Sequence, residues 1–531
     1  MKKQTTSDRL VSEAPARDTR SGPAAAIEIG TSSVRMSVAQ PDGQGGIEIL
    51  EHLEQPLSLG KDTFSKGRIG KETSGECVSI LRRFKEVLEP YALNAPDQLR
   101  VVATTAVREA RNREAFLDRL YIATGLQVSL LEDAEVTRHA YLGSQRLFEK
   151  GGPLYKQHAL IMEVGGGSTE MLMMTGARVA FSQGCRLGSL RLYEILKSSE
   201  APAARLPRLM ESHIERNLES ALAGIEFPDG ATFVALGGDM RFAVQQIAGA
   251  RQQGSLHVVS VKQLQAFVDK VAGRPPDELV TRLHLTFPEA EGLAPALLAY
   301  LYVARQLGVS SVHVARTTMR EGLLLEMISR HAWSPQVQRQ TIQSAIDLGR
   351  KFQFDEMHGT HVAVLSKILF EALQEEHGLD ARHGLLLYVA ALLHEVGLLI
   401  SNVGHHKHSM YLIQNSELFG LGRKDIGLVA LIARYHRKAT PSPLHPFYGE
   451  LDRQDRVAVA KMAAILRVAD ALERSHHQHI QDVRCFVERD HVVIEVPHVH
   501  DLTLEQMALR EKGNLFEEVY GRSVVLRKRG Y

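Results

Sequence analysis

Ile161-Met-Glu-Val-Gly-Gly-Gly-Ser-Thr-Glu-Met171 reads as a strand ending on a carboxylate, a glycine turn that carries hydroxyls, and the start of a second strand. The same order of residues stands 135 positions earlier, in Ala26-Ile-Glu-Ile-Gly-Thr-Ser-Ser-Val-Arg-Met36. Glu28 falls on Glu163, Gly30 on Gly165, Ser33 on Ser168 and Met36 on Met171 with no shift of register. Two hairpins of one pattern, each opening a stretch of mixed strand and helix periods, predict a pair of α/β lobes facing a shared cleft.

Outward from these hairpins the chain divides by its periodicity. Residues 1–22 mix Lys, Ser, Asp, Arg and Pro without a repeat and are expected to form a disordered tail. The first lobe is expected over 23–147 and the second over 148–332. Helical periods then dominate 333–480, and alternating runs over 481–531 suggest a small α/β appendix. At 531 residues, several domains are required, since one core stops growing well below that length.

Composition narrows the class of function. A formal charge of +1 argues against a chain whose work is to coat nucleic acid or an anionic membrane, so neither partner is expected and any anionic ligand must be held locally. Cys77, Cys185 and Cys485 are far apart and form no CxxC, which fits a reducing, cytoplasmic setting. The N-terminus lacks a signal-like apolar stretch, and Leu385–Ile400, the longest apolar run, is interrupted by His394 and Glu395.

The chemistry of the two turns is that of anion binding. Gly165, Gly166 and Gly167 let the backbone approach an anion closely, and Ser168 and Thr169 add hydroxyl donors. Gly30, Thr31, Ser32 and Ser33 can do the same from the other lobe, and Gly237-Gly238 forms a further turn. Glu28 and Glu163, at equivalent strand ends, are candidates to hold Mg²⁺ or Mn²⁺ against a phosphate chain. Glu170 projects from its hairpin and Glu135 opens a helix expected over 135–147; either can orient or deprotonate a water.

An ordered set of motifs resembles the Ppx/GppA phosphatase family, long form, of the actin-like fold group. It comprises Glu28-Ile-Gly-Thr-Ser-Ser33, Ala103-Thr-Thr-Ala-Val-Arg-Glu-Ala-Arg-Asn112, Glu135-Val-Thr-Arg138, Glu163-Val-Gly-Gly-Gly-Ser-Thr-Glu170, Leu187-Gly-Ser-Leu-Arg-Leu192 and Arg320-Glu-Gly322. The resemblance implies two actin-like lobes, an all-α HD-like domain and the appendix. It implies hydrolysis of the terminal phosphoanhydride of polyphosphate or of pppGpp, with Glu135 as general base and Glu170 as the acid that organises water and metal. Arg108 and Arg138 become candidate phosphate contacts, since guanidinium forks suit phosphate oxygens. Two departures matter: the family usually has Asp at positions 28 and 163, and Thr where this chain has Asp239. They leave open a binding paralogue that holds polyphosphate or pppGpp with weakened turnover.

In the helical half, His361, His394, Glu395 and Asp470 are spaced like the metal ligands of an HD phosphohydrolase, with Glu395 in place of the usual Asp. His405, His406, His408 and His436 enrich the same region in imidazole. The resemblance also implies a homodimer and a basic groove that includes Arg434, Arg437 and Lys438.

Overall fold

The computed structural model describes residues 22–528 apart from 44, 94–95, 200–204, 224–226, 330–332, 498 and 500; the expected tail, Gly22 excepted, lies outside them. The chain forms two compact units, one over Ala16–Ala332 and one dominated by Trp333–Tyr531.

The first unit contains both hairpins. β1 (Ala24–Ile29), β2 (Ser33–Pro41) and β3 (Ile47–Pro56) form an antiparallel meander, which β4 (Leu99–Ala103) and β5 (Val128–Leu130) extend in parallel, giving the order β3-β2-β1-β4-β5. β6 (His158–Val164), β7 (Thr169–Thr175) and β8 (Arg178–Cys185) repeat the meander, and β9 (Thr232–Ala235) and β12 (Ser311–Ala315) repeat the parallel pair. β10 (Arg251–Gln253) and β11 (Leu256–Ser260) add a hairpin at that edge. Parallel neighbours need long crossovers, so helices intervene where the meander gives way to β4 and β9.

The faces of β1 show how the first sheet is covered. Ala25, Ile27 and Ile29 enter the core under the helix Lys71–Leu88, while Ala24 and Ala26 face the helix Met319–Ser329. Small side chains on that second face let the helix come close to the sheet. The last helix of the stretch assigned to the second lobe, 148–332, therefore packs on the first sheet, a return that hydrophobic periodicity cannot reveal.

The same helix crosses the helix Asp133–Ser144 at a pair of glycines. A Cβ on Gly322 would stand 1.8 Å from the His139 carbonyl oxygen, and one on Gly143 would stand 2.7 Å from that of Thr318. Because backbone stands in the way, Gly322→Ala is expected to cost about 1–3 kcal/mol, read as a lower urea midpoint for unfolding. An unchanged midpoint would show that the crossing relaxes freely.

The second unit has one core. The helices Glu356–Ala372, Ala381–Leu393, Arg423–Arg434 and Arg453–Leu472 surround it; Val492 and Ile494 from the C-terminal sheet β13 (Arg484–Val487), β14 (His491–Val496) and β15 (Ser523–Lys528), and Leu515 and Phe516 from the helix Asn514–Tyr520, belong to the same cluster. The appendix is thus built into the helical core. Fully buried Arg467 joins the parts, donating to the carbonyls of Tyr435 (2.7 Å) and Ala439 (2.5 Å) and to Asn514 Oδ1 (3.1 Å). The helix that carries the apolar run Leu385–Ile400 ends at Leu393, so His394 and Glu395 sit at a break in the backbone path. Ala381–Leu399 is long and apolar enough to cross a membrane, yet 67% of it is buried in this core.

Candidate active cleft

The turns of the two hairpins close in the same way. Gly30 N–H donates to Ser33 O at 3.0 Å, and Gly165 N–H to Ser168 O at 2.8 Å. They also meet: a Cβ on Gly166 would lie 2.9 Å from Thr31 Cβ, and one on Gly167 would lie 2.9 Å from Thr105 Cβ. Glycine is needed here because the opposite lobe fills the place of a side chain. Residues 30–33 and 165–168 therefore form two sides of one crevice.

A chain of polar contacts crosses it. Arg108 reaches Thr105 Oγ1 at 3.4 Å, Thr105 Oγ1 lies 3.1 Å from Ser168 Oγ, and Ser168 donates to Glu170 Oε1 at 2.5 Å. Arg108 is also held by Asp133 and the Leu131 carbonyl. Arg191 donates to Gly167 O at 2.8 Å and lies over the Phe64 ring, fixing the glycine turn from behind. Burial pushes the Glu170 carboxyl up to about 8; Ser168 opposes this and the charge on Glu163 adds to it. At neutral pH Glu170 therefore carries its proton.

Strand register puts Arg35 opposite Glu28 and Glu170 opposite Glu163, so equivalent positions of the repeat hold a basic side chain in one lobe and an acidic one in the other. Around the two strand-end acids the structure gathers guanidiniums that sequence reasoning missed. Arg320 is hydrogen-bonded to Glu28 Oε2, and Arg35 stands 3.9 Å from Glu28 Oε1 while pairing with Glu54 at 2.7 Å. Glu163 Oε2 is buried with no hydrogen-bond partner among the described residues. Burial, then the charge on Glu28, holds the Glu163 carboxyl above the usual range, while Arg241, Arg35 and Arg320 pull it down.

These contacts test the expected metal pair. Glu28 is paired through Oε2 with Arg320 and faces Arg35 through Oε1, while Glu163 Oε2 stands without a hydrogen bond among the described residues, within the field of three arginines. The two acids do not fit a site in which both ligate one divalent ion, and the expectation is corrected accordingly.

The other expected residues divide. Gly237, with φ 96°, caps the helix Gly238–Gln246 so that its N-terminus faces Glu163; burial raises Asp239 in its first turn to about 6. Glu135 occupies the first turn of the helix Asp133–Ser144, where Oε2 accepts the Glu132 N–H at 3.0 Å. Arg138 is not in the crevice. It is buried and donates to Glu326 Oε2 at 3.1 Å, beside His139 (3.1 Å) and Arg100 (2.8 Å), because its side of the helix faces Met319–Ser329.

In the second unit His394, Glu395 and Asp470 do come together, but His361 does not join them. Its Nε2 donates to Ile480 O at 2.9 Å beside Glu473, and His358, one turn earlier, takes its place.

Comparison with known proteins follows the same division. A family model described as the Ppx/GppA phosphatase family matches residues 37–331, and one described as Ppx/GppA phosphatase, domain III, matches residues 339–517. An exopolyphosphatase-like protein is 20% identical, with a TM-score of 0.52, over 58% of this chain and 98% of its own. An exopolyphosphatase from Cytophaga hutchinsonii is 16% identical, with a TM-score of 0.51, over the same shares. A Ppx/GppA family member from Aquifex aeolicus is 23% identical over 59% of this chain and 99% of its own, with a TM-score of 0.47. At such identities the first two show the fold, and with the two sheet orders they make the first unit a pair of actin-like lobes.

Proposed function

Because the chain belongs to the Ppx/GppA phosphatase family, we propose that its crevice hydrolyses the terminal phosphoanhydride of polyphosphate, or of the 5′ end of pppGpp. The observation that supports this reading is the meeting of the twin turns, Gly166 against Thr31, which brings the glycine turns of both lobes to one crevice. The backbone N–H groups of Thr31, Ser32, Gly166 and Gly167 and the hydroxyls of Thr31 and Ser32 hold the terminal phosphate, and Arg108 adds positive charge beside the Thr105–Ser168 contact.

Water attacks the terminal phosphorus in line, the bond to the bridging oxygen breaks, and the shortened chain leaves as the anion. Glu135 takes the water proton. Its Oε2 is engaged by the Glu132 N–H, so Oε1 is the accepting atom. Glu170, protonated at neutral pH, lets the phosphate approach without carboxylate repulsion. Mg²⁺ or Mn²⁺ belongs to this reading as the counter-ion that the phosphate chain brings, since Glu28 is committed to Arg320. The chain is read as cytoplasmic and homodimeric.

A second reading is favoured by the same Arg320–Glu28 pair: a module that binds polyphosphate or pppGpp without turnover. Phosphate release from both substrates side by side, with and without Mg²⁺, separates the two. Release above background from either substrate supports the hydrolase; saturable binding with no release in any divalent metal supports the sensor.

The state of Glu170 gives a pH test. Gln mimics its protonated form, so Glu170→Gln is expected to keep kcat within a few-fold of the parent near pH 7 and to flatten the change that the parent shows near pH 8. Loss of more than about a hundredfold at pH 7 would assign the base role to Glu170 instead.

A further inference from the structure

Six helical or helix-flanking residues of the second unit converge on one buried place. His358 comes from Glu356–Ala372 and Asp470 from Arg453–Leu472; His394 and Glu395 follow Ala381–Leu393, His405 opens His405–Gln414, and His436 follows Arg423–Arg434. His358, His394, His436 and Asp470 are all at most 4% exposed, and His405 is 8% exposed.

Hydrogen bonds at the outer ring nitrogens fix how three of these rings face inward. His394 Nδ1 lies 2.7 Å from Ala391 O, His436 Nδ1 2.6 Å from Ala433 O, and His405 Nδ1 3.3 Å from Asn402 O. A carbonyl can only accept, so each Nδ1 carries the proton and each Nε2 is left as a lone pair. Two of those lone pairs point at each other. His405 Nε2 and His436 Nε2 are 3.1 Å apart, close to the edge of a coordination shell whose metal–nitrogen bonds are about 2.0–2.1 Å.

The remaining donors are left bare in the same way. His394 Nε2 and both ring nitrogens of His358 are buried with no hydrogen-bond partner among the described residues. His358 Nε2 and His394 Nε2 each stand 4.0 Å from Asp470 Oδ1, and Glu395 Oε2 stands 3.7 Å from His358 Nε2. Lys512 holds the other Asp470 oxygen and orients the carboxylate. Buried polar atoms are rarely left unpaired, and carbonyl-backed imidazoles beside carboxylates are how proteins prepare metal ligands.

We propose that this cluster is a centre for divalent first-row transition ions, with His358, His394 and Asp470 as one set of ligands and Glu395, His405 and His436 as an adjacent set. Mixed imidazole and carboxylate donors suit zinc, iron or manganese rather than calcium, and three protein ligands per ion leave positions for water. The inference is independent of the reaction proposed for the crevice.

The test uses the full chain stripped of metal with a chelator and titrated with Co²⁺, followed by visible absorption and calorimetry. Saturable uptake of one or two ions per chain, unchanged in His408→Ala and reduced in His394→Ala and His436→Ala, is the expected result. The absence of saturable uptake by the unsubstituted chain would overturn the proposal, whether or not the variants fold. Equal uptake by a folded His394→Ala/His436→Ala double variant would overturn it as well.

Discussion

Replacing Glu135 by Gln is expected to lower phosphate release by about 10²–10⁴-fold while leaving the melting temperature close to that of the parent. The two effects separate because the side chain has two tasks. Its Oε2 accepts the Glu132 N–H and secures the first turn of the helix Asp133–Ser144. An amide oxygen keeps that contact, but an amide cannot take a proton from water. Glu135→Ala removes both tasks and is expected to add about 0.5–2 kcal/mol of destabilisation to the same kinetic loss. Full activity in Glu135→Gln would remove the residue from the chemistry.

The largest expected effect on stability comes from Glu326. Its carboxylate is buried with Arg138 and His139 and receives Arg100 from the rim. Burial alone would raise its pKa; the His139 hydrogen bond and the charge of Arg138 outweigh this and hold it at about 2. Glu326→Ala would take the carboxylate away from the buried Arg138 guanidinium and from His139, a change that costs about 3–5 kcal/mol. In a unit of this size that corresponds to a fall of roughly 10 °C in melting temperature, measured by calorimetry. The folded pKa lies below the ordinary value, so this stabilisation is complete above about pH 4.5 and is lost as the pH falls towards 2. Glu170 has the opposite sign. Its raised pKa makes the contribution greatest below about pH 4.5 and lost as the pH rises through about 8. Acid unfolding in which Glu326→Ala showed the parent's pH dependence would contradict the first assignment.

What could be read from the chain depended on how local the determining contact was. The twin hairpins were legible because a four-residue turn sets their register, and the same counting places Arg35 opposite Glu28. Arg320 was not legible as a partner, since it meets Glu28 from 292 residues away. Arg138 looked like a phosphate contact because the helix that buries it, Met319–Ser329, follows only after the whole second sheet. His358 and His361 lie three residues apart on one helix, and only the position of Ile480 and Glu473 decides which of them turns to His394. Metal ligation at Glu28 and Glu163 was inferred from carboxylates alone, without the three arginines that the fold brings to them.

The most direct test of the central claim is a crystal structure of the full chain grown with tripolyphosphate. A terminal phosphate is predicted between Gly30–Ser33 and Gly165–Ser168, in reach of donors from both lobes. Tripolyphosphate ordered elsewhere on the chain, with neither turn touching it, would contradict the account.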